Sequence, residues 1–191
     1  MTEGPLSKSV VSFEDYLEAE REAEVKHEWL DGAVYVMPGG SVEHGRLAAN
    51  VMAALRTRLA GRCTVLSSDV MVFVRETNLA TYPDGSVVCG PLDIQRIERH
   101  GRVIGEAVLN PTFIVEVLSE STEAYDRGEK FAHYMRVPSL RAYILVAQTQ
   151  RRIEVFHRPQ TRGHWQQDVF EADDAMLLHG GSIPLDEIYG A

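Results

Sequence analysis

Residues 112–147 read TFIVEVLSESTEAYDRGEKFAHYMRVPSLRAYILVA. The run 112–119 reads as an apolar strand, 123–136 as a helix stopped near Pro138, and 141–147 as a second buried strand. A strand, a covering helix and a strand normally make a right-handed parallel crossover. The class this implies is α/β, a mixed central sheet flanked by helices. Working outward, Ser12 heads a short acidic helix in a capping-box pattern, SFED. EWLDGAVYVM (28–37) predicts an N-terminal β-hairpin around the tight turn Asp31-Gly32. Residues 41–60 are the clearest helix, capped by Ser41 and ended by Gly61, with Leu47, Val51, Leu55 and Leu59 as its core stripe. TVLSSDVMVFV (64–74) and YPDGSVVC (82–89) are further β-rich runs. RRIEVFHR and HWQQDVF predict a C-terminal hairpin across the polar turn TRG (161–163).

The chain has 191 residues, 45% of them hydrophobic and 25% charged. That predicts one domain, 1–191, with enough apolar side chains for a core. No long apolar run exists, so neither a membrane span nor a signal peptide is expected, and the cytoplasm is the expected compartment. Cys63 and Cys89 form neither a CxxC pair nor a His/Cys cluster. They are expected to be small buried hydrophobes rather than a thiolate zinc site or a disulfide framework. The net charge is −9, which disfavours general nucleic-acid binding. Only residues 123–164, with eight basic and four acidic side chains, offer a phosphate-facing surface.

Glu116 is the anomaly. It lies mid-strand in FIVEVL, sharing a face with Ile114 and Leu118, while Phe113, Val115 and Val117 take the other. A carboxylate inside an apolar strand is costly unless paired or metal-bound; an edge position or an arginine ion pair is the plain alternative. Asp84 follows Pro83 at the start of another strand, where the two acids could meet and share a divalent cation. P-D-G is also a strong turn signal. Lys130 lies on the following helix and could point an ammonium back at the strand end, or simply be solvated. Tyr134, one turn on, could hydrogen-bond there or pack in the core. Asp126 and Arg127 are assigned to the helix's first turn.

The strings EWLDGAVYVMPGG, YPDGSVV, NPTFIVEVLSEST, YDRGEKFAHYMRVPSL and IPLDEIY, in this order over roughly 13–189, resemble the Uma-two family of inferred restriction endonucleases. That family is similar in fold to the PD-(D/E)XK nucleases, so the resemblance implies a restriction-endonuclease-like fold. It implies that Asp84 is the aspartate of P-D and Glu116 the acid of E-x-K. Val117-Leu118 stand where x-K is usual, and Lys130 is the migrated lysine. His44, in SVEHGRL, matches a family histidine near the site, and Glu28 the acid of E-x-x-D-G; a packing histidine and an ion pair with Lys26 are the plain alternatives.

Both lines lead to one expectation. Asp84, Glu116 and the main-chain carbonyl of Val117 would hold Mg²⁺ or Mn²⁺, Lys130 would orient a water, and His44 and Glu28 would assist, for hydrolysis of DNA by a homodimer with no membrane contact. A catalytically inactive binding or assembly module of the same fold is the rival, and hydrolysis of another phosphate ester a third reading.

Overall fold

The structure is a computed structural model that describes residues 10–159, 163–178 and 181–190. Its elements in chain order begin with α1 (Phe13–Glu20), the hairpin β1 (His27–Leu30) and β2 (Ala33–Val36), and α2 (Val42–Arg58). There follow β3 (Cys63–Ser67), β4 (Val72–Val74), β5 (Leu79–Thr81), β6 (Gly85–Cys89), β7 (Ile94–Arg99), β8 (Arg102–Val108) and β9 (Phe113–Leu118). The covering helix runs as α3 (Glu123–Tyr125), a π turn (Asp126–Lys130) and α4 (Phe131–Tyr134). The chain closes with β10 (Ala142–Ala147), β11 (Arg152–His157), β12 (Gln166–Glu171), β13 (Ala175–Leu178), β14 (Gly181–Pro184) and α5 (Leu185–Tyr189).

The crossover is where the sequence puts it. β9 and β10 pair in parallel with the helix between them, inside a mixed sheet ordered β12-β11-β10-β9-β6-β3. Both faces of β9 are covered, as its continuous burial requires. Phe113, Val115 and Val117 pack with the α2 stripe of Leu47, Val51, Leu55 and Leu59. Ile114 and Leu118 pack with Phe131, Tyr134 and Tyr143. The N-terminal hairpin forms as expected, with Asp31 and Gly32 at φ 46° and 94°, the left-handed values that a tight primed turn needs. Ser12 and Ser41 cap their helices, accepting from the Asp15 and His44 N–H groups. The closing hairpin β11–β12 forms too; its turn, at residues 160–162, lies outside the described residues.

Two expectations fail. The run 64–74 is not one strand: it breaks at Ser67 into β3 and β4, which join different sheets. The second sheet, β2-β1-β5-β4-β8-β7, gathers short strands from distant positions. β5 has three residues and β7–β8 carry charged side chains, so neither has the apolar alternation from which strands are read. The cysteines also differ. Cys63 stands directly opposite Cys89 in the antiparallel β3–β6 register, and the two form a disulfide, Cys89 being exposed. A 26-residue separation carries no pairing signal; only the register brings the thiols together. Closing a loop of that size contributes about 3 kcal/mol. Thiol titration of the unreduced, denatured protein should therefore find no free cysteine, and reduction should lower the melting temperature by several degrees.

Arg127 ties the π turn to the sheet. Its guanidinium grips Glu154 of β11 with two hydrogen bonds of 2.8 Å and reaches Glu123 at 2.7 Å. Arg127 holds the buried Glu154 carboxyl below its usual range, against the opposing effect of burial, with Arg152 assisting. A depressed carboxylate stabilises the fold above its unfolded pKa of about 4.3, and that contribution is lost as pH falls through the folded value. Glu154→Gln should cost about 1–3 kcal/mol at neutral pH and remove this part of the acid sensitivity in a pH series of thermal melts.

Candidate active site

The β6–β9 register decides which acids meet. Gly85 pairs with Val115 and Ser86 with Ile114, so Asp84, one residue before β6, falls opposite Glu116. The Asp84 N–H donates to Glu116 Oε2 at 3.3 Å, and Asp84 Oδ2 accepts from the Val117 N–H at 2.7 Å. In a strand the N–H and C=O of one residue point the same way, so the Val117 carbonyl also faces Asp84. α2 packs close at Gly85: a Cβ there would stand 2.1 Å from Met52 Sδ of α2. That close approach brings His44, two turns earlier on α2, to 3.1 Å from Asp84 Oδ2. Its hydrogen bond to Asp84 raises the imidazole pKa against burial, with the Val117 backbone adding to the rise.

Lys130 is not solvated. It is 4% exposed, with Nζ 3.0 Å from Glu116, 3.1 Å from Glu28 and 3.7 Å from Asp126. Burial alone would depress this ammonium; Glu116 and Glu28 outweigh it and hold the pKa well above normal. Glu28 does not pair with Lys26, which bonds Asp69 at 2.8 Å instead. It is buried on β1, accepting from Thr81 of β5 and from the Tyr125 hydroxyl at 3.0 Å. Tyr134 is both things foreseen for it: fully buried in the core, and donating to Glu116 Oε1 at 3.1 Å.

Asp126 is more than a helix-turn residue. It is 3% exposed, and burial raises its carboxyl pKa despite Lys130 nearby. The D-x-x-x-K-x-x-x-Y spacing of Asp126, Lys130 and Tyr134 was the signal that could have found it, since residues four apart share a helix face. No such signal exists for Tyr125. Nine positions at about 100° each would set it on the far side of the helix from Tyr134. The π turn between them underwinds the helix, and both rings reach the same cluster. Thr81 was hidden too, because it depends on the β1–β5 pairing between distant segments.

Three carboxylates, Glu28, Glu116 and Asp126, thus surround one buried ammonium, and a fourth, Asp84, adjoins Glu116 and pairs with His44. Burial pushes Glu116 well above the usual carboxylate range, with Asp126 and Asp84 adding to the rise and Lys130 opposing it. A cluster with this excess of negative charge accepts a cation. Among the described residues, no three His, Cys, Asp or Glu side chains are spaced to ligate a metal by themselves. Two carboxylates and one main-chain carbonyl suit a hard ion that keeps several of its waters, which describes Mg²⁺ or Mn²⁺. The cluster opens on a cleft of ≈ 1550 Å³ between α2, the end of β2 and the covering helix.

The family model described as "Putative restriction endonuclease", Uma2, matches residues 13–185. The chain belongs to the Uma2 family. Two uncharacterized proteins of Synechocystis sp. are similar to it. With slr1290 it shares 36% identity over 182 residues, 94% of this chain and 91% of that protein. With sll1609 it shares 29% over 150 residues, 78% and 81% of the two. A crystal structure from Anabaena variabilis, titled a putative nuclease of DUF820, superposes with a TM-score of 0.66 at 15% identity, covering 87% of this chain and 91% of that one. This Uma2 chain therefore has the restriction-endonuclease-like α/β fold expected of it. No helix among its described residues is long and apolar enough to cross a membrane.

Proposed function

We propose that this protein is a divalent-metal-dependent endonuclease that hydrolyses DNA phosphodiester bonds at the Asp84–Glu116 end of the cleft. The observation that carries the reading is the convergence of four carboxylates, faced by one ammonium, Lys130, and one imidazole, His44. An inactive module of this fold has no physical reason to keep Glu116 and Asp126 buried at that cost.

Asp84, Glu116 and the Val117 carbonyl would hold Mg²⁺ or Mn²⁺, which when bound polarises the phosphate and acidifies a water. The chain's own groups do the rest. An ammonium has three N–H donors. Lys130 pairs with Glu116 and Glu28, and a further N–H of the ammonium would orient the attacking water. Tyr134 fixes the Glu116 carboxylate, while Thr81 and Tyr125 fix Glu28. His44, bonded to Asp84 and kept basic by it, would supply a proton to the departing oxygen.

The test is cleavage of covalently closed circular DNA, which only an endonuclease can open. Nicking should require Mg²⁺ or Mn²⁺ and stop with EDTA, and millimolar Mn²⁺ should raise the melting temperature by mass action. Absence of both nicking and a metal-dependent shift would overturn the proposal.

A further inference from the structure

The cleft extends well beyond the acidic cluster, along one stripe of α2. His44, Ala48, Met52 and Arg56 line it at four-residue intervals, a track of roughly 18 Å at the helical rise. His44 marks the acidic end. Ala48 and Met52 make the middle apolar, together with Val36 and Met37 at the end of β2. Arg56 marks the far end, exposed and in no ion pair among the described residues. Tyr35 also lines the cleft, half buried, with no ring stacked on it among the described residues.

The charges of this cleft are wrong for a duplex. Seven carboxylates and three Lys or Arg side chains line it. Lys130 is buried in the cluster and Lys26 is paired with Asp69, so of the three Lys and Arg side chains in this lining Arg56 is the one left for a phosphate. Duplex DNA carries a charge per about 1.7 Å and would lay roughly ten along such a track. Its base faces, hidden in the stack, would gain nothing from the apolar wall. An unpaired strand halves the charge density and presents base faces to apolar and aromatic side chains.

We infer that this cleft takes an unpaired polynucleotide strand, with bases against Tyr35, Met37 and Met52 and a phosphate on Arg56. The inference rests on the nuclease reading of the same site and names its substrate. The strand would run from the metal end to Arg56, a few nucleotides away.

The experiment compares a fluorescein-labelled 12-nucleotide strand with the same sequence annealed to its complement. Binding is read by anisotropy with Ca²⁺ present, and cleavage with Mg²⁺ or Mn²⁺. The expected result is binding of the single strand about tenfold tighter than the duplex, and preferential cleavage of it. Arg56→Glu should weaken single-strand binding about five- to tenfold and Tyr35→Ala by a similar factor, with melting temperatures unchanged for the exposed Arg56. Deoxy and ribo strands run in parallel report which sugar the groove takes. Equal or tighter duplex binding, or indifference to both substitutions, overturns the inference while leaving the nuclease reading standing. Tight single-strand binding without any cleavage supports the groove and rejects the hydrolytic reading.

Discussion

Asp84→Asn and Glu116→Gln should each lower metal-dependent cleavage by on the order of 10³-fold or more, because on the proposed reading each removes one of two anionic ligands of an ion worth several kcal/mol to the reaction. The metal-free fold survives. Glu116 is the carboxyl that burial and its neighbours push toward the protonated state, and glutamine is close to the shape of that neutral form. Lys130 keeps Glu28 and Asp126, and Tyr134 still finds an acceptor. The melting temperature of metal-free Glu116→Gln should therefore equal or exceed that of the unmodified protein, while the gain on adding Mn²⁺ disappears. Asp84→Asn keeps an oxygen for the Val117 N–H but loses the charge that sustains His44. If either variant cuts DNA at the original rate, or unfolds while the original protein gains nothing from metal, the carboxylates are structural and the proposed site is wrong.

Some of this was legible in the sequence for a definite reason. Glu116 breaks the apolar alternation of FIVEVL, and that is a local signal. The α2 stripe and the β9–helix–β10 passage are local too, since periodicity reports the face of an element. The meeting of Asp84 with Glu116 was readable as a possibility from the strand ends, but it needed one further step, the β6–β9 register, to be fixed. What stayed hidden depends on contacts between distant segments or on irregular backbone. For Glu28 the resemblance pointed to the site while the sequence alone left an ion pair with Lys26, two positions away, as the plain alternative; strand alternation sends neighbours at even spacing to one face only if both lie in the strand. Lys26 precedes β1 and turns to Asp69. Glu28 points inward to Lys130. Tyr125 enters the cluster through a π turn that no propensity scale registers, and Cys63 meets Cys89 through a register that spacing cannot reveal.

Lys130→Ala should lower turnover by on the order of 10²-fold, the scale of a lost electrostatic or acid–base group. The geometry adds a complication that the sequence did not suggest. Lys130 is the counter-ion of Glu28, Glu116 and Asp126, so its removal leaves buried charge unpaired, a loss of about 3–5 kcal/mol. Lower activity alone would then say nothing about water. Lys130→Arg offers no escape, because a planar guanidinium does not fit the closed space of a 4% exposed ammonium. The double variant Lys130→Ala, Glu28→Gln separates the two roles. It removes one positive and one negative charge together, and the glutamine amide still accepts from one of the Thr81 and Tyr125 hydroxyls and donates to the other. Its melting temperature should recover most of what Lys130→Ala loses. If Lys130 orients the attacking water, turnover stays down by the same factor in the double variant, at saturating Mn²⁺ as well as Mg²⁺. If Lys130 serves only to balance charge, turnover returns with stability, and the water must be held by another donor, of which His44 is the one nearest the Asp84 carboxylate.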